Sequence, residues 1–312
     1  MLAASSHRTL VLPWILASLV SPISQPASAQ SPIPEPSINL GQSSFLDGEG
    51  GPGALLEIIG DGYGATRLDD VDGRHVPGHF EQTIGAAAIH LVYTSQLQFL
   101  GANVGVEGLL PLTYLHVEQG GLQASVAGAG DLLVGAYLQW SNLSLFNRPF
   151  SMRLDMDVTA PTGQYAADRS LNLGENVWQL YPHFAWTWRA TDRWEISDRT
   201  TYNWSAENNL PPTFLQAHSV QAGDQVSNNL SASYAVSENW RVGLASYQLE
   251  QLSDTRMNGQ PVRGSRERVF GAGPGIYWTQ GRVIVVADVY KEFAAQNRPE
   301  GYQGILRFLT AF

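Results

Sequence analysis

Apolar and polar residues alternate strictly along the last stretch of the chain. Leu306, Phe308 and Phe312 fall on one face of an extended segment, and Arg307 falls on the other. A period of two residues is typical of a β-strand whose two sides meet different environments. A final strand that ends on an aromatic residue is also typical of bacterial outer-membrane barrels. The pattern therefore predicts a transmembrane β-barrel, in which lipid surrounds half of the side chains.

Strand-like patterns recur upstream and predict twelve antiparallel strands in all. An even number of strands is what a closed bacterial barrel with both termini on one side requires. The predicted strands are 54–66, 79–95, 99–116, 123–140, 150–164, 176–190, 193–207, 220–236, 239–254, 267–279, 282–295 and 301–312.

The predicted connections alternate between short turns and long polar loops. This alternation is expected of a barrel with periplasmic turns and longer outer loops, and a soluble sandwich has no reason to show it. Segment 141–149 fits this scheme least well. The short turns are 95–98, 191–192, 237–238 and 280–281, and the outer loops are 67–78, 165–175, 208–219, 255–266 and the shorter 296–300.

The faces of the predicted strands support the same fold. In the fifth strand, Arg153, Asp155 and Asp157 share one face, opposite an apolar face. Arg facing lipid at the bilayer midplane costs about 2–4 kcal/mol and Asp somewhat less, so this face is predicted to point into a polar interior. Asp198 is an exception, because it shares a face with Trp194; a bulge or a misplaced register is expected there.

Tryptophan positions give an independent indication of the membrane boundaries. Indole prefers the interface between water and bilayer, so tryptophans near the strand ends are expected to form aromatic girdles. Five lie beside predicted short turns, namely Trp140, Trp188, Trp194, Trp240 and Trp278, and two lie near predicted outer loops, namely Trp178 and Trp204.

The N-terminus has the pattern of a secretory signal peptide. An apolar run from Leu10 to Val20 is followed by the small residues Ala27-Ser28-Ala29, which predicts cleavage after residue 29. Residues 30–52 are rich in Pro, Ser and Gly and are predicted to be an extended segment, either a linker or a plug in the lumen. Residues 53–312 are then the barrel.

Composition excludes several other classes of protein. There is no cysteine, so a disulfide-stapled secreted domain, a lipid-anchored cysteine and a cysteine-based zinc site are all excluded. The formal net charge of −10 argues against nucleic acid as a partner. After the signal, no window offers 18 consecutive apolar residues, which argues against helical membrane spans.

Polar side chains on the predicted inner faces are the candidates for the solute path. Most are expected to be paired, because charges of both signs neutralise each other in a confined space. We place Arg153, Asp155 and Asp157 at a constriction as a hypothesis. No catalytic residue, metal ligand or cofactor is predicted. The predicted lumen residues are Glu107, Asp131, Arg153, Asp155, Asp157, His183, Arg199 and Arg241.

Two weaker patterns leave alternatives open. The loop 67–78 carries several carboxylates next to His75 and His79, and weak binding of a divalent cation is a secondary hypothesis there. A Ser–His pair on a barrel could make the protein a lipid hydrolase. However, His90 lies in a strand of small residues, and no Gly-x-Ser-x-Gly elbow is present, so no enzyme activity is expected.

Several short motifs together resemble one family. In their order and spacing the chain is similar to the outer-membrane family called putative MetA-pathway of phenol degradation, or SphA-like. The motifs are Gly128-Ala129-Gly130-Asp131, Ala160-Pro161-Thr162-Gly163-Gln164-Tyr165, Asn172-Leu173-Gly174-Glu175-Asn176-Val177-Trp178, Trp240-Arg241-Val242-Gly243-Leu244, Gly271-Ala272-Gly273-Pro274 and the ending from Asn297 to Phe312.

The resemblance implies a bacterial outer-membrane channel surrounded by lipid and lipopolysaccharide. It also implies passive uptake of small hydrophobic solutes, among them aromatic compounds. No ligand residues are carried over from the family. The competing hypothesis is a non-transporting barrel whose apolar, proline-rich loop 208–219 binds a partner.

Overall fold

The computed structural model describes residues 39–312, which form a closed antiparallel barrel of twelve strands. The predicted fold class is therefore confirmed, while the predicted signal peptide, residues 1–29, lies outside the described residues. The β-segments are β1 Gly53–Leu68, β2 Phe80–Phe99, β3 Ala102–Gln119, β4 Leu122–Ala129, β5 Leu132–Leu145, β6 Arg148–Ala160, β7 Gln179–Trp188, β8 Trp194–Ser205, β9 Val220–Gln221, β10 Gln225–Ala235, β11 Trp240–Gln251, β12 Arg256–Met257, β13 Gln260–Pro261, β14 Arg268–Gln280, β15 Val283–Gln296 and β16 Pro299–Ala311.

Neighbours in the barrel wall are neighbours in sequence, and the first and last strands close the circle. β1 pairs with β16 from Leu55 opposite Ala311 to Leu68 opposite Pro299. β4 and β5 both pair with β3, so they are two halves of one strand that is interrupted at residues 130–131. The short segments β9, β12 and β13 form a separate small sheet in the outer loops.

Short turns join the strands at the end of the barrel where both β1 begins and β16 ends. The predicted first turn at 95–98 is wrong, because β2 continues to Phe99 through a register shift after Thr94. The hairpin turns instead at Leu100 and Gly101, both with positive φ, of 50° and 77°. A two-residue turn of this kind matches the twist of the strands, and glycine adopts positive φ without strain. Segment 141–149 is likewise a hairpin, with its tight turn at residues 146–147.

Long loops join the strands at the opposite end of the barrel. They cover residues 69–79, 161–178, 206–224 and 252–267, while residues 120–121 and 297–298 form tight turns at this same end. The loop 206–224 contains a short 3-10 helix, Thr213–Leu215. Within residues 39–312, no helix is long and apolar enough to cross a membrane.

Outward-facing side chains form an apolar surface bounded by tryptophans. The ring centroids of Trp240 and Trp278 lie 6.3 Å apart beside the short turns, with the two rings tilted against each other. Trp140 Nε1 donates to the carbonyl of Leu100 in a short turn. Asp198 does face outward, but β8 and β10 pair without any shift of register there. The expected bulge is therefore wrong. Asn228 Nδ2 lies 2.5 Å from the Asp198 carboxylate, which accounts for a charge on this face.

The N-terminal segment lies inside the barrel. We call residues 39–50 the plug segment. Leu40 packs in an apolar cluster with Tyr247 and Tyr290, and Phe45 packs in a second cluster with Tyr277 and Val286. Both clusters belong to the inner face of the wall formed by β11, β14, β15 and β16, together with β1. The inner face of these strands therefore contains two apolar and aromatic clusters, next to buried polar side chains such as Asp288 and Glu292.

Candidate functional site: a charged belt inside the barrel

A network of ionisable side chains lies inside the barrel, beginning beside the apolar clusters at β16 and β1 and continuing to β8. We call this network the charged belt. It runs around the interior from β16 through β1 and β2 to β8, and its members are buried or nearly so. They are Glu57, His90, Glu107, Arg153, Asp155, Asp157, His183, Arg199 and Arg307.

Glu57 on β1 contacts both Arg307 on β16 and His90 on β2, so the belt continues across the seam where the first and last strands pair. Arg307 Nε donates to Glu57 Oε1 at 2.6 Å, and His90 Nδ1 lies 2.8 Å from Glu57 Oε2. The other imidazole nitrogen, Nε2, lies 3.6 Å from Glu107 Oε2. One imidazole therefore bridges two carboxylates. A protonated His90 would satisfy both of them, since it then donates from both nitrogens.

Arg153 is held by three partners at once. Its Nη1 lies 3.4 Å from Glu107, and its Nε donates to Gln139 Oε1 at 3.0 Å. The guanidinium also lies 4.2 Å above the ring of Tyr137. The planar guanidinium group is well suited to combine a carboxylate, an amide and an aromatic face in this way. Arg153 is thus fixed in place.

Asp155, Asp157 and His183 form a compact group between β6 and β7. His183 Nε2 lies 3.5 Å from Asp155 Oδ2, and His183 Nδ1 lies 3.4 Å from Asp157 Oδ2. Gly135 on β5 makes room for this group, because a Cβ atom there would collide with Asp157 Oδ1. Close approach to a backbone is one of the reasons for glycine within a strand.

The plug segment contacts the belt directly. Asp47 accepts two hydrogen bonds from Arg199, at 2.8 and 3.1 Å. Gly48 donates its backbone N–H to Thr187 Oγ1, and its carbonyl accepts from Gln139 Nε2. A bidentate pair between guanidinium and carboxylate fixes orientation as well as distance. The plug segment is therefore attached to the charged belt as well as to the apolar clusters.

Six of the eight predicted lumen residues lie in the belt, and two lie elsewhere. Asp131, at the interruption between β4 and β5, accepts backbone N–H groups from Gly163 and Glu175 and so holds the loop 161–178. Arg241 lies near the short turns, where it donates to Ser233 Oγ at 2.8 Å. Neither residue lies at the level of the Arg153, Asp155 and Asp157 group.

Three belt residues and one plug residue were not among the predicted lumen residues. Glu57, His90 and Arg307 each place an ionisable side chain among apolar or small residues of a strand. That signal is present in the sequence, where the alternation places Arg307 on the face opposite Leu306 and Phe308 without indicating a role. Asp47 gave no periodic signal, because its segment contains no strand.

A small cavity lies at the outer mouth of the barrel. Its volume is about 120 Å³. It is lined by the parts of β3, β7 and β8 that lie next to the long loops, and by the loops 161–178 and 206–224. Amide and hydroxyl side chains and the carboxylate residue Glu175 alternate with apolar residues in its lining. The apolar lining residues are Leu115, Tyr165, Leu171, Val177, Pro212 and Leu215.

The acidic loop 67–78 has its carboxylates engaged within the protein. Asp69 accepts from Arg67 Nε at 2.8 Å, and Asp70 accepts the backbone N–H groups of Asp72 and Arg74. His79 lies 3.3 Å from Glu118 instead of facing these carboxylates. Among residues 39–312, the group of His and carboxylate side chains close enough to share an ion is Asp155, Asp157 and His183.

Comparison with known proteins places this architecture in a family. The COG4313 outer membrane channel from Pseudomonas putida F1 is 17% identical, with a TM-score of 0.74 over 92% of this chain and 99% of that chain. The transport unit of the autotransporter AIDA-I from Escherichia coli is 9% identical, with a TM-score of 0.52 over 85% of this chain and 92% of that chain. The beta domain of the Bordetella autotransporter Brka is 12% identical, with a TM-score of 0.50 over 84% of this chain and 100% of that chain.

These structural similarities establish the fold of an outer-membrane barrel. A search of curated proteins gives no significant match. The model of the family described as putative MetA-pathway of phenol degradation matches residues 65–308, which is most of the chain. The chain therefore belongs to the putative MetA-pathway of phenol degradation family.

Proposed function

We propose that the protein is a passive channel of the bacterial outer membrane for small, largely apolar solutes, with one-ring aromatic compounds as the expected class. The observation that carries this proposal is the partly apolar cavity of about 120 Å³ at the outer mouth. An apolar cavity of about 150 Å³ is known to hold benzene. The outer cavity is thus close in size to a single ring, and its lining is partly apolar.

The interior offers such a solute a path along one side. Tyr247, Tyr290 and Tyr277 form aromatic surface on the inside of the barrel, which the plug segment covers and which a solute would reach when that segment moves. The plug segment narrows this path, so free diffusion of large solutes is not expected. The family description refers to phenol degradation, and the COG4313 protein is a channel, which agrees with this class of solute.

Uptake of labelled phenol or toluene by porin-deficient Gram-negative cells tests the proposal. Whole cells are needed because their lipopolysaccharide leaflet, unlike a simple bilayer, is the barrier to such solutes. Ala206 lines the cavity, and Ala206→Trp should lower the initial uptake rate several-fold by filling it. Ala217→Trp, in the same loop but outside the cavity, is the control. Wild-type uptake by a correctly folded Ala206→Trp barrel would contradict the proposal.

The constriction hypothesis concerns the charged belt. Replacing Arg153 with Gln, and Asp155 and Asp157 with Asn, removes the charges but keeps the side-chain volumes nearly constant. We expect this triple variant to change single-channel conductance and uptake, because these side chains face the plug segment across the lumen. Unchanged conductance and uptake would place the constriction elsewhere.

The proposal assigns no catalytic activity to the barrel. His116 Nδ1 lies 2.8 Å from Ser125 Oγ in the exposed hairpin of β3 and β4, which is the arrangement closest to a hydrolytic pair. Within residues 39–312, no carboxylate forms an ion pair with this imidazole, so the orienting group of a triad is not supplied there. Esterase activity that disappears in Ser125→Ala would overturn this part of the proposal.

The rival hypothesis of a partner-binding barrel rests on the loop 206–224. Leu210 and Phe214 expose 61% and 53% of their surface there, which is unusual for large apolar side chains in a polar loop. Uptake of aromatic solutes that requires the outer cavity favours the channel, whereas cells that show no channel-dependent uptake favour the rival.

A further inference from the structure

We propose that Asp155, Asp157 and His183 bind one divalent transition-metal ion of the Zn²⁺ class inside the barrel. Each residue can supply one ligand atom, and these atoms all lie within 4.8 Å of one another. The three residues are at most 4% exposed. Two carboxylates and one imidazole are ligands that Zn²⁺ and similar ions accept.

Unpaired atoms point to a ligand between these side chains. Both carboxylate oxygens of Asp155, Oδ1 of Asp157 and Nε2 of His183 are buried and have no hydrogen-bond partner in the protein. Buried polar atoms are nearly always hydrogen-bonded, and each exception needs an explanation. A shared ion bound by one atom from each residue would account for three of these four unpaired atoms.

The charges of the surroundings also favour a cation. Within residues 39–312, no Arg or Lys lies within ion-pair distance of Asp155 or Asp157. The nearby guanidinium groups have other partners, since Arg153 contacts Glu107 and Arg199 contacts Asp47. Among the described residues, no guanidinium therefore pairs directly with these two carboxylates, and an unpaired buried charge is strongly destabilising.

The separations match coordination better than hydrogen bonding. His183 Nε2 and Asp155 Oδ2 are 3.5 Å apart, which is too long for a good hydrogen bond. Two ligands of a tetrahedral ion, each about 2.1 Å from it, are about 3.4 Å apart. The second nitrogen, Nδ1, faces Asp157 Oδ2 at 3.4 Å.

Such an ion would join β6 to β7 beside the plug segment. Three protein ligands leave a fourth tetrahedral position for water or a solute oxygen. All three ligands come from β6 and β7, and none comes from the plug segment. Gly135 contributes by leaving space for Asp157 Oδ1. The proposal concerns ion binding alone and stands independently of which solute crosses the barrel.

Calorimetric titration of the detergent-solubilised, chelator-treated full chain with ZnCl₂ tests the proposal. We expect one Zn²⁺ per barrel and at least about tenfold weaker binding in Asp155→Asn and in His183→Gln. Asp198→Asn, which alters an outward-facing carboxylate on the next strand, is the matched control and should bind as the wild type does. Heat-modifiable migration on gels establishes that each variant is folded.

Three outcomes would overturn the proposal. The first is wild-type protein that binds no Zn²⁺, which would mean that the two carboxylates share a proton instead. The second is binding that survives in both ligand variants. The third is Ca²⁺ binding as tight as that of Zn²⁺, since Ca²⁺ requires six to eight oxygen ligands and would not select an imidazole. Gly135→Ala keeps all three ligands but displaces Asp157, and it should also weaken Zn²⁺ binding.

Discussion

Phe45 is the largest apolar anchor of the plug segment, and its removal should open the lumen. The ring is 3% exposed and packs with Tyr277, Val286 and Leu309. Truncation of a buried Phe to Ala costs about 3–5 kcal/mol. Because each 1.4 kcal/mol is a factor of ten, Phe45→Ala should raise the ratio of detached to attached plug at least about a hundredfold.

Single-channel recording in planar bilayers measures this change directly. We expect Phe45→Ala to show more frequent and longer high-conductance openings than the wild type, because the segment then depends on its other apolar anchor, Leu40, and on polar contacts such as the Asp47–Arg199 and Glu49–Arg189 pairs. Phe146→Ala, which truncates an 80% exposed ring in a short turn, is the matched control and should leave the conductance unchanged. A folded Phe45→Ala barrel with wild-type openings would refute the view that the plug segment restricts the pore.

Three further predictions concern the outer face and the loops. Asn228→Ala should lower the free energy of unfolding of the barrel, measured by chemical denaturation, by about 1–3 kcal/mol, because it removes the closest hydrogen-bond donor to the Asp198 carboxylate on the lipid-facing surface. An unchanged unfolding midpoint would contradict this role. Burial raises the pKa of Glu267 to about 7, although Arg298 opposes this shift. The folded loop therefore favours protonated Glu267, and its stability falls as the pH rises from about 4.5 to 7. Hydrogen-exchange protection of the loop should fall with pH in the same way in the wild type and should not change with pH in Glu267→Gln. Asp131→Ala should leave two N–H groups of the loop 161–178 without their acceptor. Proteolysis of this loop should then become faster while the amount of folded barrel stays the same. Resistance to proteolysis equal to that of the wild type would show that Asp131 does not hold the loop.

The barrel itself could be predicted from local pattern. Alternation specifies which residues face lipid, so Arg153, Asp155 and Asp157 could be assigned to the interior from their spacing alone. The first turn was misplaced because polar residues at 95–98 have the composition of a turn, whereas backbone pairing continues to Phe99. Such a shift depends on the partner strand, about which local composition carries no information.

The arrangement of the site could be predicted only in part. Facing inward is a local property, but the partner of a charge depends on tertiary proximity. Glu57 and Arg307 are 250 residues apart in sequence and meet only because the barrel closes. Asp198 was unexplained for the same reason, since Asn228 supplies its partner from the neighbouring strand. The contacts of the plug segment could not be derived, because an irregular segment has no periodicity to orient it.

The position of the plug segment has a consequence for the order of folding. Its partners Thr187, Asn229 and Asp288 lie 139, 188 and 244 residues further along the chain. The first described part of the chain therefore has no docking surface until the last strands have been made. Contacts of such long sequence separation carry the largest loop-closure entropy and form late. β1 likewise cannot pair with β16 until β16 has been made. Docking of the plug segment and closure of the barrel wall therefore belong to one final, cooperative step of assembly.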